Sequence, residues 1–352
     1  MRVLLANPPA YGGHDYHHEL ARHLSRAGAE VEVVTSHFRF GEEPEPEGYV
    51  RREVFYPLSS RVFERSRLRM PLKLLEHPVG MGYLALRKPD VTHLQWLAVP
   101  ELDRFLLRLR AASVFTAHDP IPRRAGKNLE RWRALLLRFD RIVTHSHRGS
   151  DMLAELGIPS ERLRVIFHPV HPSYPPRRDD GRTLLCFGLI RAYKGIGDAI
   201  EAVRRVEGAR LLVAGDPVEP IDEWRHQGGD RVEWRLGYLP EAEVERAYAD
   251  TTVALFPYRP ELDQSGALLR ALGAGVPAVV YDVGGLAEPV RKFDAGRVVP
   301  PGDVDALEAA VRELLDDPSA LERARAGARR AREALTWDVA AEKHLELYRE
   351  LV

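Results

Sequence analysis

The chain has 352 residues, a length that suits two ordinary domains better than one. Apolar residues make up 45% and the formal net charge is −1, which excludes a globally disordered or polyelectrolyte chain. One cysteine, Cys186, excludes an internal disulfide framework; its place in the apolar run TLLCFGL reads as a buried thiol in a reducing compartment, not as a nucleophile.

The opening residues, MRVLLANPPAYGG, hold too few apolar positions before their prolines for a signal-peptide core, and no apolar run approaches membrane-spanning length. The expectation is a cytoplasmic protein. Charge is uneven along the chain: residues 1–170 carry +6 and the remainder −7, which points the first half at an anionic partner.

In chain order, short apolar runs alternate with helical-period segments. The pattern predicts strands at Val3–Ala6, Val31–Thr35, Val91–Leu97, Ser113–Ala117, Arg141–Thr144 and Val165–His168, with helices such as Tyr16–Arg26 and Arg104–Arg110 between them. It restarts at Thr183–Leu189, Leu211–Ala214, Val232–Arg235, Val253–Phe256 and Ala278–Tyr281, and ends in helices at Val304–Leu315, Ser319–Leu335 and Val339–Val352. Strand–helix alternation means parallel sheets with helices on both faces. Residues 169–181, with four prolines and a charged end, cannot form regular structure and read as the linker. The expected parts are therefore a first domain 1–170, a linker 171–181, a second domain 182–335 and a final helix 336–352.

The strongest chemical signal is Cys186-Phe187-Gly188-Leu189-Ile190-Arg191-Ala192-Tyr193-Lys194-Gly195, between a strand and a helix. Arg191 and Lys194 stand just before the helix N-terminus, where free N–H groups and the dipole favour an anion. Gly188 and Gly195 let the backbone come close to a ligand. Arginine offers a fork for phosphate oxygens and lysine a point charge. A solvated basic turn is the plain alternative. Two further strand-to-helix openings repeat the logic: Gln264-Ser265-Gly266-Ala267-Leu268, where Ser265 is an N-cap, and Asp282–Glu288.

The segments FGLIRAYKG (187–195), GYLPEAEVERAYADTTVALFPY (237–258), DQSGALLRALGAGVPAVV (263–280) and DVGGLAEPV (282–290) resemble the second domain of family 4 retaining glycosyltransferases. The first half is similar to the same family through residues 6–35, 89–96, 115–123 and 141–153. The resemblance implies the α/β GT-B fold, two Rossmann-like parallel-sheet domains facing a central cleft, with residues 336–351 crossing back onto the first domain. It implies that Arg191 and Lys194 hold the donor diphosphate with Gly12, Gly13 and Gly188 nearby, and that His118 contacts the donor sugar. A satisfied core histidine is the plain alternative for His118. Gly237, Tyr238 and Leu239 would read the base. Gln264, Ser265, Gly266, Leu268 and Glu288 would line the nucleotide or sugar. Many members carry two glutamates eight residues apart; Leu262 and Arg270 stand there instead, which separates this chain from the usual ribose contact.

The implied activity is a metal-independent, hexosyltransferase-type transfer from a nucleotide sugar, UDP-sugar first and GDP-mannose second, to a carbohydrate or lipid-linked acceptor. The product would be a glycolipid or cell-surface polysaccharide precursor. A nucleotide-sugar epimerase and a non-catalytic nucleotide-sugar-binding homologue are the alternatives. No cofactor is implied. Asp303-Val304-Asp305 reads as a helix cap rather than a metal motif. His14, His17 and His18 read as a polar helix start, with His17 or His18 facing the acceptor, rather than as metal ligands. Arg61, Arg65, Arg69 and Lys73 recur every four residues opposite Leu68, Leu72 and Leu75, and Arg123, Arg124, Lys127, Arg131 and Arg133 add charge. That pattern implies peripheral contact with an anionic membrane, at the inner face of the cell membrane, or a solvated helix face. Nucleic acid is not expected, since stacking aromatics are not interleaved with the basic residues.

Overall fold

A computed structural model of the chain describes residues 1–9, 14–38, 44–61, 69–122, 128–171, 176–259 and 264–352, with the side chains of His14, Asp15 and Arg69 left aside. The chain divides into two compact units: Met1–Phe167 with Trp337–Val352, and His168–Thr336.

The first unit runs β1 (Arg2–Asn7), α1 (His14–Arg26), β2 (Glu30–Ser36), β3 (Val50–Phe55), α2 (Arg69–Leu86), β4 (Val91–Leu94), α3 (Pro100–Leu106), β5 (Ala112–Thr116), α4 (Leu129–Leu136), β6 (Arg141–Thr144), α5 (His147–Glu155) and β7 (Leu163–Val165). Its seven described strands lie parallel in the order β3-β2-β1-β4-β5-β6-β7. The second unit runs β8 (Thr183–Phe187), α6 (Ile196–Arg204), β9 (Arg210–Gly215), α7 (Asp222–Gly228), β10 (Val232–Leu236), α8 (Glu241–Asp250), β11 (Val253–Phe256), α9 (Gly266–Gly273), β12 (Ala278–Tyr281), α10 (Ala287–Phe293), β13 (Gly296–Val299), α11 (Val304–Asp316) and α12 (Pro318–Ala334). Its six described strands are also parallel, ordered β10-β9-β8-β11-β12-β13.

Central strands are buried on both faces, so they read as unbroken apolar runs, and Val253–Phe256 and Ala278–Tyr281 lie where the pattern puts them. Three of the departures fall at sheet edges. β3 and β13 are edge strands that the pattern passes over, and β7 lies at 163–165 rather than 165–168. An edge strand is half solvated and short, so its apolar signal is weak: β3 reads VRREVF. β4 stops at Leu94 rather than Leu97, and α3 spans 100–106 rather than 104–110, because Pro100 sits at its first turn.

Two apolar layers sandwich the first sheet. Leu4, Ala6, Leu94, Phe115 and Ile142 face Met81 and Leu84 of α2, Leu107, and Trp132, Leu135 and Leu136 of α4. Val3, Leu5, Val33, Val91, Val114 and Val143 face Tyr16, Leu20 and Leu24 of α1 and one further helix, α13 (Trp337–Arg349). The end of the chain thus completes the first unit: Trp337, Ala341, Leu345 and Tyr348 are all buried there. The Tyr348 hydroxyl also lies 2.6 Å from Nδ1 of the buried His93 on β4.

Tyr348→Ala is expected to cost about 3–5 kcal/mol through its cavity. Tyr348→Phe, which removes only the hydroxyl, should cost about 0.5–1.5 kcal/mol. Calorimetry on both variants should show the loss confined to one unfolding transition, that of the first unit.

Candidate active site

In open parallel sheets, ligands sit beyond the carboxyl ends of the strands, where the strand order reverses. In the second unit that point lies between β8 and β11. The turn after β8 contains Arg191 and Lys194. Gly195 ends it in the left-handed region at φ +66°, and a Cβ there would stand 2.0 Å from the Pro257 carbonyl oxygen. Only glycine permits that approach, which presses the β8–α6 turn against the segment leaving β11. Gly188, at φ +106°, leaves room for the Lys194 ammonium, which a Cβ would meet at 2.7 Å.

Further contacts tie the neighbouring turns together. The Arg259 N–H donates to the Tyr193 carbonyl at 2.7 Å. The Tyr258 hydroxyl lies 3.3 Å from Ser265 Oγ, and Ser265 caps α9 by accepting from the Leu268 N–H. Asp198, in the first turn of α6, pairs with Arg259 at 3.0 Å and accepts from the Tyr281 hydroxyl at 2.9 Å. Gln264 Nε2 donates to the Gly285 carbonyl at 3.1 Å. The strand ends of β8, β11 and β12, neighbours in the sheet, therefore share one braced surface.

The electrostatics of this surface are unbalanced. Lys194 Nζ donates to the Phe187 carbonyl at 3.0 Å and lies 5.3 Å from the centre of the Tyr258 ring. Removal from water pushes its pKa below the usual lysine value, and the Arg191 charge adds to the fall. Arg191 Nε is buried without a hydrogen-bond partner among the described residues. Neither cation is paired with a carboxylate among those residues. A desolvated cation without a counter-charge is costly, and an anionic ligand at the N-termini of α6 and α9 would remove that cost. Cys186, beneath them, donates weakly to the Leu255 carbonyl, and burial pushes its thiol up to about 12, so it is structural.

Other expected positions are placed as follows. Tyr238 is 81% exposed just beyond β10, where the Gly237 N–H donates to the Gly215 carbonyl of β9; Leu239 is half-buried. Gly266 opens α9 at the surface. The Leu268 side chain is fully buried, so only its N–H, given to Ser265, belongs to the opening. Glu288 is half-buried in the first turn of α10, its N–H 3.3 Å from the Gly285 carbonyl. Arg270, where many members have glutamate, pairs with Glu241 at 2.6 Å. Gly12, Gly13 and Leu262 lie outside the described residues. Asp303 caps α11 through the Ala306 N–H.

In the first unit, the carboxyl ends of β4, β5 and β6 bring together Gln95, His118 and His145. His118 is half-buried, stacked on Trp96 with ring centres 5.0 Å apart and planes 10° from parallel. Its Nε2 lies 3.1 Å from Gln95 Oε1, and its Nδ1 lies 3.1 Å from His145 Nε2. His17 and His18 are both buried, with His17 Nδ1 2.8 Å from Asn7 Nδ2 and His18 Nδ1 2.7 Å from the Tyr49 hydroxyl. Gln95, His145 and Tyr258 lie in the resembling segments but receive no role of their own from the sequence, and Asp198 is not singled out by it, because each acts through a partner from another element.

Two family descriptions match this chain: Glycosyltransferase Family 4 over residues 12–174, and Glycosyl transferases group 1 over residues 181–317. The chain belongs to the family 4 glycosyltransferases. It is 27% identical to a glycogen synthase of Mycobacterium tuberculosis, an alignment spanning 99% of this chain and 94% of that protein. Its fold is that of sucrose-phosphate synthase from Thermosynechococcus elongatus, with a TM-score of 0.77 at 20% identity over 100% and 99% of the two chains. It is also that of Anabaena Alr3699/HepE, solved with UDP and glucose, with a TM-score of 0.74 at 15% identity over the whole of both chains. The glycosyltransferase thus has the two parallel-sheet, Rossmann-like domains of the GT-B class.

The cost of holding Lys194 charged is largest below its depressed folded pKa and fades as pH rises through its unfolded value. At neutral pH, Lys194→Met should therefore leave the melting temperature unchanged or raise it. The same variant should weaken nucleoside-diphosphate binding about 10–100-fold, as loss of a charge-assisted bond does. Calorimetric melting and titration of the same samples check both halves.

Proposed function

We propose that this glycosyltransferase moves a hexose from a nucleoside diphosphate to an acceptor hydroxyl with retention of the anomeric configuration. The observation that carries the reading is the Arg191–Lys194 pair before a helix N-terminus: Lys194 largely removed from water, and Arg191 half-buried with its Nε unpartnered, neither with an acidic partner among the described residues. In this reading both grip the diphosphate. Gly12, Gly13 and Gly188 give it room, His118 contacts the sugar, and Gly237, Tyr238 and Leu239 take the base. Gln264, Ser265, Gly266 and the Leu268 N–H line the opening of α9, with Glu288 beside them.

In the transfer, the bond from the anomeric carbon to the phosphate oxygen breaks, and a bond to the acceptor oxygen forms on the same face. The acceptor proton passes to the departing phosphate oxygen. Fixed cations and helix N-termini act on the charge that grows on that phosphate, which is where electrostatic stabilisation lowers the barrier most. No carboxylate nucleophile enters, and the basic residues take the place of a metal. UDP-sugar is the first donor and GDP-mannose the second; the UDP held by Anabaena Alr3699/HepE supports the order.

The acceptor side of the reading is a carbohydrate or lipid-linked molecule at the inner face of an anionic membrane. No helix among the described residues is long and apolar enough to cross a membrane. Of the expected cationic stripe, Arg61 and Lys73 are the positions whose side chains are described, that of Arg69 being left aside. Lys73 is half-buried against the Tyr56 ring, Arg61 pairs with Glu53, and Arg65 lies outside the described residues. The exposed positions of α2 are instead apolar: Met70, Leu74, Leu75, Val79 and Leu86, with Leu75 at 75% and Val79 at 66%. Its one acidic residue, Glu76, turns inward to the Leu58 and Ser59 N–H groups. Exposed Arg104, Phe105, Arg108 and Arg131 on or near α3 and α4 flank the same helical layer. Apolar side chains rimmed by cations suit the boundary of an anionic bilayer.

Incubation with a panel of nucleotide sugars should give transfer from one UDP- or GDP-sugar, with the product's anomeric proton coupling matching that of the donor. Epimer formed from donor alone, or binding without turnover, would replace the transferase reading. Leu75→Glu with Val79→Glu should release the protein from vesicles containing anionic lipid while transfer to a water-soluble acceptor persists. Unchanged vesicle binding would remove α2 from the membrane contact.

A further inference from the structure

In the first unit, α3 and α4 enclose an open pocket of about 330 Å³ on the outer side of their layer. Arg104 and Phe105 of α3, Glu130, Arg131 and Ala134 of α4, and Arg138 just beyond it line the pocket. Arg131, Ala134 and Arg138 stand three and four residues apart, on one helical face, and the small Ala134 leaves space between the two arginines. Arg138 fastens the two elements together: its guanidinium donates to the Arg104 carbonyl and, at 2.7 Å, to the Leu107 carbonyl at the end of α3. The Arg104 guanidinium lies over the Phe105 ring, 4.3 Å from its centre.

The pocket is short of negative charge. Its one carboxylate, Glu130, is exposed and lies 3.8 Å from Arg133. Three guanidinium charges less that carboxylate leave +2. Arg104 and Arg131 make no ion pair among the described residues, nor do Arg108 and Arg110 close by in the chain. A guanidinium carries five N–H donors in a fixed fork, so even Arg138, with two carbonyls to serve, has donors left. A charge of +2 with forked donors matches a phosphate monoester, which is close to a dianion at neutral pH and offers three oxygens. The surroundings say what carries that phosphate. Phe105 is 60% exposed, Leu129 at the start of α4 is exposed too, and α3 packs against α2, whose outer side is apolar. Phosphate held above apolar matter is what a bilayer surface presents.

We propose that the α3–α4 pocket takes the phosphate-monoester headgroup of a membrane lipid, with Arg104, Arg131 and Arg138 on its free oxygens. The inference rests on the membrane contact proposed above and deepens it: α2 enters the apolar boundary, and the pocket selects the lipid. A monoester brings about two charges and three free oxygens, a diester one charge and two free oxygens. General attraction to an anionic surface does not tell them apart at equal surface charge, whereas a pocket built of forked donors does.

The test is co-sedimentation of the full-length protein with phosphatidylcholine vesicles that carry either phosphatidate or phosphatidylglycerol, the latter at twice the mole fraction so that surface charge is equal. The wild type should bind the phosphatidate vesicles about tenfold more tightly, the size of one charge-assisted hydrogen bond. Arg104→Gln with Arg131→Gln should make the two equal. Both side chains are exposed and unpaired, so the melting temperature should hold. Arg108→Gln with Arg110→Gln removes as many charges outside the pocket and should weaken both bindings alike, leaving the preference. The preference should also shrink as pH falls through about 6, where the monoester takes its second proton. Equal binding by the wild type, or a preference that survives Arg104→Gln with Arg131→Gln, would overturn the proposal. Glycerol 3-phosphate bound in solution without any vesicle preference would give the pocket to a free phosphate instead. Dimerisation lost in that double variant, again without preference, would give it to a second copy of the chain. Equal binding that Leu75→Glu with Val79→Glu abolishes removes the pocket and leaves the α2 contact standing, whereas binding to neither vesicle removes both.

Discussion

The contact on which the candidate donor site depends is the packing of Gly195 against the Pro257 carbonyl, closer than any side chain would allow. It holds the β8–α6 turn onto the loop leaving β11. With the Arg259–Tyr193 bond and the Asp198–Tyr281 bond, it makes three loops into one surface. Lys194 is half-buried beside this contact. Because the turn cannot swing outward, its ammonium is kept over the Tyr258 ring and against the Phe187 carbonyl, away from water. The site is thus prepared before a ligand arrives, and the desolvation cost is carried by the rest of the fold. Preorganised charge of this kind loses little to reorganisation when a phosphate departs.

The same economy governs the first unit. Its sheet has one face covered by α2, α3 and α4, and the other by α1 and the last helix, α13. Without α13, the apolar side chains of β1, β4 and β5 on that face would lack part of their cover. α13 also carries Tyr348, whose hydroxyl meets His93, and through His93 and Gln95 it is linked to His118. The end of the sequence therefore supports a candidate site residue that lies more than 200 positions earlier.

Much of this was legible in the sequence where physics is local. Parallel central strands must be apolar on both faces, so Val253–Phe256 and Ala278–Tyr281 announce themselves. The helix caps at Ser265 and Asp303 follow from their own side chains. What escaped was non-local or half-solvated. β3 and β13 lie at sheet edges, where one polar side suffices, and neither showed a continuous run. The pairing of Arg270 with Glu241, the stack of Trp96 on His118 and the chain from Gln95 to His145 each join residues from different elements. Nor could periodicity show that the exposed side of α2 is apolar, because which face a helix buries is settled by its neighbours.

The central claim is that the anionic part of a nucleotide-sugar donor binds at the β8–α6 turn. A crystal structure of the protein with a bound nucleoside diphosphate tests it most directly. The account predicts phosphate oxygens within hydrogen-bonding distance of Lys194 Nζ and the Arg191 guanidinium, at the N-terminus of α6. A diphosphate bound elsewhere, with those two cations still unpaired, would contradict it.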